Sequence, residues 1–280
     1  MRYIMFGPSA AVGAKRDRRT PPAGGRTGRI ARLDLDRGRR TGAPEVVLAE
    51  GKTPEHLVRI VRELARRGRG ALISRPTAQQ RRRLAALARE GLPLHSVALG
   101  RLVRLDGPIH VGVVPGHVAI LTAGTADIPV ATEAEELLRA LGLRPTCAYD
   151  VGVAGIHRLA RALRRIERQA PAVYLVFAGR EGALPTVVAG LVRAPVIGVP
   201  TSVGYGRGGR GEAALTAMLQ SCAPLAVVNI DAAVPAALFA AQLLAGRARG
   251  PLRPIGTDRD LRPRGASHRR AGPRSPGTRR

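Results

Sequence analysis

Short apolar runs, each closed by small or polar residues and followed by a helical stripe, recur along the second half of the chain. Val118–Leu121 breaks into Thr122–Asp127, and an Ala/Glu/Leu pattern of helical spacing follows from Pro129 to Leu141. Strand Pro145–Tyr149 precedes helix Ile156–Gln169, and Val173–Phe177 runs into Ala178–Ala183 ahead of a helix starting near Leu184–Pro185. Val196–Val199 leads through PTSVGYGRGGRG to a helix over Glu212–Ser221, and Leu225–Ile230 ends at Asp231 before an Ala-rich helix, Ala232–Leu244. Buried runs alternating with amphipathic segments predict an open parallel sheet in a three-layer α/β/α, flavodoxin-like arrangement. In such a sheet the loops at the carboxyl ends of the strands share one edge, so the polar and glycine-rich turns are expected to meet in one crevice.

The first half is patterned less regularly. Arg29–Arg40 reads as a short charged helix or turn, Glu45–Leu48 as a strand, and His56–Arg67 as a helix with Leu57, Ile60, Val61 and Leu64 on one face. Ala71–Ser74, Ala78–Glu90 and Ser96–Leu99 continue as strand, helix and strand, and Arg101–Val114 reads as a hairpin hinged at Asp106–Gly107. These segments predict four parts: a disordered leader over 1–28, a small α/β domain over 29–114, a larger α/β domain over 115–245 and a basic tail over 246–280.

Composition changes the picture in two ways. Hydrophobic residues make up 45% of the 280-residue chain but aromatics only 2%, so the core must be built from Ala, Val, Leu and Ile, which suits strands buried on both faces. The net charge of +26 would ordinarily point to nucleic acid. However, Lys15 and Lys52 are the only lysines among 46 basic residues, and residues 246–280 hold eleven Arg against Asp258 and Asp260. That is a chain-wide preference for Arg concentrated at the ends, and nucleic acid is set aside as a partner. Two cysteines without a secretory signal give no disulfide framework and make a reducing cytoplasm the expected compartment. No apolar run reaches the roughly 18 residues of a membrane span.

Candidate chemistry clusters on the predicted strand ends. Gly124, Thr125 and Asp127 sit where a strand meets a helix N-terminus, whose unpaired N–H groups and dipole favour a phosphate; Asp127 could cap the helix, bind a ribose hydroxyl or hold a metal. Asp150 opens DVGVAG, and His157 follows it as a possible general acid or base or a solvent-facing first-turn residue. Gly179, Glu181 and Gly182 form a second loop, and Ser202, Gly204 and Tyr205 open a third, which lacks the spacing of a Walker loop. Asp231 ends the last strand. Lys52 stands out as a point charge in an Arg-rich chain. By pattern Cys222 reads as a small buried hydrophobe more readily than as a nucleophile, and Cys147, in mid-strand, as structural. Neither fits a metal motif.

Taken together, AILTAGTADIPVATEA, DVGVAGIHRL, AGREGALPTVVAGL, PVIGVPTSVGYG and SCAPLAVVNID resemble the aminoimidazole-ribonucleotide carboxylases, and more closely the LarB family. RLDLDRGRRTGAPEVVLAEGKT is similar to the leader domain of that family. Asp36 stands where that leader carries His, and Arg180 where the AG-x-EGALP motif carries Met. The resemblance implies carboxylation of nicotinic acid adenine dinucleotide at C5 of its pyridinium ring, with CO2 or bicarbonate as co-substrate. Hydrolysis of the phosphoanhydride would give pyridinium-3,5-biscarboxylate mononucleotide and AMP, helped by a divalent cation such as Mg2+, with no organic cofactor. Cys222 becomes the nucleophile, His157 and Glu181 the proton-transfer candidates, and Thr125 and Asp127 the phosphate holders. The same resemblance implies a homo-oligomer, with octamers known among related folds. The alternatives are a purine-pathway carboxylase or mutase, which needs no thiol, and a non-catalytic nucleotide- or nucleic-acid-binding protein. The thiol route requires Cys222 at the crevice.

Overall fold

The computed structural model describes residues 31, 33–35, 37–109 and 116–248. The expected leader, Asp36, the second half of the expected hairpin and the chain beyond Ala248 lie outside the described residues.

The first domain contains α1 (Arg37–Thr41), β1 (Val46–Leu48), α2 (Pro54–Arg66), β2 (Ala71–Ser74), α3 (Ala78–Arg89), β3 (Leu94–Val97) and β4 (Leu102–Leu105). Thr53 and Thr77 cap α2 and α3, and Thr77 forms a reciprocal capping box with Gln80, which fixes where both helices begin. The sheet order is β1-β2-β4-β3. This corrects the expected hairpin: β4 does not fold back on the segment after Asp106–Gly107 but pairs antiparallel with β2 and β3. A half-buried run carries the same alternation whichever strand it joins, so the pattern could not choose the partner. Gly107 instead turns the chain against Gly70, with φ of 142° and no room for a side chain: a Cβ there would sit 2.5 Å from the Gly70 nitrogen.

The second domain runs β5 (His117–Thr122), α4 (Ile128–Ala140), β6 (Arg144–Ala148), α5 (Ile156–Glu167), β7 (Val173–Ala178), α6 (Ala183–Ala189), β8 (Val196–Pro200), α7 (Glu212–Leu219), β9 (Ala226–Val227) and α8 (Ala233–Ala248). All five strands are parallel in the order β6-β5-β7-β8-β9, the doubly wound order that reverses direction between its first and third strands. One side of this sheet is covered by α4 and α8, the other by α5, α6 and α7. In α8, Ala233, Ala236, Ala237, Ala240, Ala241, Leu244 and Ala245 are buried, a stripe at helical spacing whose small side chains bring the helix close to the strands. The helix continues three residues into the segment expected as tail. β9 is shorter than expected: Asn229 turns its side-chain oxygen onto the Ile230 N–H and its carbonyl onto the Ala232 N–H, which interrupts the regular ladder, although the Val228 and Asp231 N–H groups still donate to the Gly198 and Pro200 carbonyls of β8.

The two domains share one of their hydrophobic clusters. The first sheet is two-faced: Val47, Ile73, Val103 and Leu105 pack under α2 and α3, while Leu72 and Leu102 join the cluster around α4 and α8. That second face also carries a polar clasp. Glu133 of α4, with no exposed surface, accepts from the Ser74 hydroxyl and from Arg101 Nε at 3.3 Å. Removing the cation leaves a buried carboxylate with one neutral side-chain donor, the Ser74 hydroxyl. Arg101→Ala is therefore expected to lower the unfolding free energy by about 3 kcal/mol in a denaturant titration; an unchanged midpoint would deny the clasp a structural role.

Candidate active-site cleft

A cleft of about 590 Å3 opens at the carboxyl edge of the second sheet, at the point where the strand order reverses between β5 and β7. That volume lies within the range of small-molecule sites. Its walls are Ala123–Asp127 after β5, Asp150 and Gly152–Ala154 after β6, Gly179–Glu181 after β7, Leu184 of α6, and Val203 after β8. Of the residues singled out in the sequence, Gly124, Thr125, Asp127, Asp150, Gly179 and Glu181 line it.

Asp127 anchors the phosphate-type loop. It is 3% exposed and accepts from the Gly124 N–H at 2.8 Å, the Thr201 hydroxyl at 2.6 Å and the Gly179 backbone. Burial nevertheless holds its carboxyl above the usual aspartate range, outweighing those donors. These bonds tie the carboxylate to its own loops, while the residue still lines the cleft. The anion donors that remain are the Thr125 hydroxyl and the backbone of the single 3-10 turn Thr125–Asp127 that opens the 13-residue α4, at the positive end of its dipole. Gly179 is required by packing: a Cβ there would lie 2.2 Å from the Val203 carbonyl.

Asp150, Arg180 and Asp231 stand just past β6, β7 and β9 with φ of 56°, 47° and 55°, a left-handed conformation that costs L side chains roughly 1 kcal/mol each. Asp150 pairs with Arg158 of α5. Glu181 is exposed on the cleft wall. The Arg180 guanidinium is the one cation among the lining residues. It donates to the Tyr205 hydroxyl at 3.0 Å and lies 4.9 Å from the centre of that ring, so Tyr205, itself outside the lining, reaches the lip through Arg180. Gly204 packs on the Arg180 backbone. Ser202 is drawn away from the cleft, its N–H and hydroxyl both donating to the Asp231 carboxylate, at 2.9 and 2.7 Å. Gly182 serves the fold, packed against the backbone of Ala214.

Besides Gly182, Ser202, Gly204, Tyr205 and Asp231, three further expected site residues do not line the cleft. Lys52 lies in the first domain, its Nζ donating to the Leu48 carbonyl at 2.7 Å. His157 is exposed on the first turn of α5 and does not line the cleft; its neighbour Arg158, about 100° round the helix, turns to Asp150 instead. Cys222 is exposed, against the buried reading. It follows α7, which runs back from the carboxyl edge, and precedes the start of β9. The thiol therefore sits at the amino edge of its own sheet, opposite the cleft. Cys147, by contrast, is half-buried, and desolvation pushes its thiol up to about 12. The sequence reading missed Thr201, Arg158 and Gly152. Gly152 had a readable signal, a glycine in a strand-end loop, and a Cβ there would come within 2.6 Å of the Ala123 carbonyl. Among the described residues no three His, Cys, Asp or Glu side chains gather as a metal cage, and no helix is long and apolar enough to cross a membrane.

Residues 117–252 match the model of the AIR carboxylase family. An uncharacterized protein of Methanocaldococcus jannaschii is 40% identical over 75% of this chain and 82% of its own length. The N5-carboxyaminoimidazole ribonucleotide mutase of the same organism is 31% identical over 46% of this chain and 78% of its own length. The chain belongs to the AIR carboxylase family. Ahead of the AIR carboxylase domain, residues 26–103 match the LarB/PurE-like N-terminal domain, in keeping with the resemblance to the LarB family. The N5-carboxyaminoimidazole ribonucleotide mutase of Pyrococcus abyssi, 33% identical, aligns with 45% of this chain, about the extent of the AIR carboxylase domain alone.

Proposed function

We propose that this AIR carboxylase-family chain carboxylates the pyridinium ring of nicotinic acid adenine dinucleotide at C5 and hydrolyses its phosphoanhydride, releasing AMP and pyridinium-3,5-biscarboxylate mononucleotide. The observation that carries the choice over a purine substrate is the LarB/PurE-like N-terminal domain joined to the AIR carboxylase domain in one chain. The cleft supports a nucleotide through its helix-opening loop and the Arg180 side chain.

A pyridinium carbon is electron-poor and does not attack CO2. Addition of a thiolate at C4 moves the ring electrons onto nitrogen and makes C5 an enamine carbon. C5 then bonds to CO2, a base removes the C5 proton, and the thiolate leaves C4 with its bonding pair, restoring the aromatic cation. Glu181, exposed on the cleft wall, is the base in this reading; His157, exposed on the first turn of α5, does not line the cleft. Cys222 belongs to the opposite edge of its own sheet, so one chain does not bring the thiol to the crevice, and this reading requires that a second copy of the chain in a homo-oligomer supply the attacking thiolate. Among the described residues no three His, Cys, Asp or Glu side chains gather to hold the expected divalent cation, and no step is assigned to it. Asp127 holds the phosphate loop in shape.

The test is incubation of the protein with nicotinic acid adenine dinucleotide, bicarbonate and Mg2+, followed by mass spectrometry. Gain of one carboxyl group with release of AMP is expected. Turnover of an aminoimidazole ribonucleotide instead, undiminished in Cys222→Ala, would establish the purine reading.

A further inference from the structure

A second cavity, of about 350 Å3 and sharing no lining residue with the cleft, opens where the first domain meets the carboxyl edge of the second sheet. Arg75, just past β2, Arg81, in the first turns of α3, and Arg101, just before β4, converge on it. A guanidinium carries five N–H donors, and each of these commits only part of that capacity to the protein. Arg75 donates to the Asp231 carbonyl and approaches the Glu50 carboxylate at 3.5 Å. Arg81 donates to the Pro76 carbonyl at 2.8 Å, and no carboxylate pairs with it among the described residues. Arg101 uses Nε on Glu133.

The neighbouring carboxylates leave this charge partly open. That of Asp231 is occupied by Ser202, that of Glu133 is buried behind Arg101, and that of Glu50 stands at the rim with its side chain 63% exposed. Thr77, the N-cap of the 12-residue α3, also lines the cavity, so the positive end of a helix dipole faces it as well. Three fork-shaped donors around one small volume match a tetrahedral, multiply charged anion far better than a cation or an apolar group.

The geometry points to an anion site at the domain junction that takes a phosphate group, either inorganic phosphate or the phosphate of a nucleotide. The site touches the same Asp231 whose side chain holds Ser202, at the start of the loop that carries Val203 into the cleft. An occupant there bears on the wall of the active-site cleft through one residue.

This inference is independent of the carboxylation reading, because its test needs no turnover. The full chain is titrated calorimetrically with inorganic phosphate and with AMP, alongside Arg81→Glu, Arg81→Gln and the cleft variant Thr125→Glu, with thermal melts in phosphate-free buffer to establish folding. Arg81→Glu is expected to weaken phosphate binding at least about tenfold, and Arg81→Gln to weaken it less, because charge-assisted bonds to the anion are lost. Thr125→Glu should leave this event in place. Competition between AMP and phosphate at the Arg81-dependent site would assign it to a nucleotide phosphate, and undisturbed phosphate binding to the free ion. A wild-type titration in Arg81→Glu, or loss of all phosphate binding in Thr125→Glu, would overturn the assignment.

Discussion

An equal mixture of Cys222→Ala and Glu181→Gln chains, each inactive alone, is expected to regain about a quarter of wild-type carboxylation once the subunits are allowed to exchange, as in a closed homo-oligomer with shared sites. The fraction follows from chance: half the clefts carry Glu181, and half the thiols offered to them are intact. The expectation rests on where the chain puts sulfur and cleft. Cys222 lies between the end of α7 and the start of β9, at the amino edge, whereas Thr125, Asp150 and Glu181 lie at the carboxyl edge of the same sheet. One chain cannot bring them together without dismantling the strands between. Initial rates measured on co-expressed and separately purified proteins check this. No recovery in mixed oligomers would remove the shared site, and full activity in Cys222→Ala alone would remove the thiol.

Asp127→Ala is expected to lose about 100-fold in kcat/KM, the scale of a small displacement of a positioning loop, although Asp127 need not touch the substrate. Without its carboxylate the Gly124 N–H and the Thr201 hydroxyl lose their acceptor, and the unfolding free energy should fall by on the order of 3 kcal/mol. The pH dependence has a definite sign. Because burial raises the native Asp127 carboxyl above its ordinary value of 3.8, the folded state binds that proton more tightly than the unfolded chain does. Its contribution is fully present below the ordinary value and is lost as pH rises through the raised one. The stability of wild type relative to Asp127→Asn should therefore decline upward from about pH 4, over the window in which the native carboxyl ionises. A difference that grows with pH over that range would contradict the assignment.

The strand-loop-helix junctions were legible because apolar runs buried on both faces, ending in small residues, leave little choice of structure. For the same reason the sequence alone places Gly124, Thr125, Asp127, Asp150, Gly179 and Glu181 on one edge. What the pattern could not convey was direction across the sheet and round a helix. Cys222 lies only nine residues before Asp231, yet the strand between them carries the two to opposite edges. His157 and Arg158 are adjacent, yet only Arg158 turns to the Asp150 loop. Nor does a carboxylate in sequence disclose what its oxygens will accept; Asp127 looked like a ligand group and is occupied by Thr201, a residue from another strand end. β4 failed for a related reason, since alternation names a face but no partner.

The clasp between Glu133 and Arg101 bears on any attempt to shorten this protein. Excising the amino-terminal unit would strip the oily cover formed by Leu72 and Leu102 from the α4/α8 surface and strand a negative charge in a greasy patch newly opened to water. A minimal version of the larger unit would need both a polar resurfacing of those helices and a neutral replacement at position 133 before it could be expected to stay monodisperse.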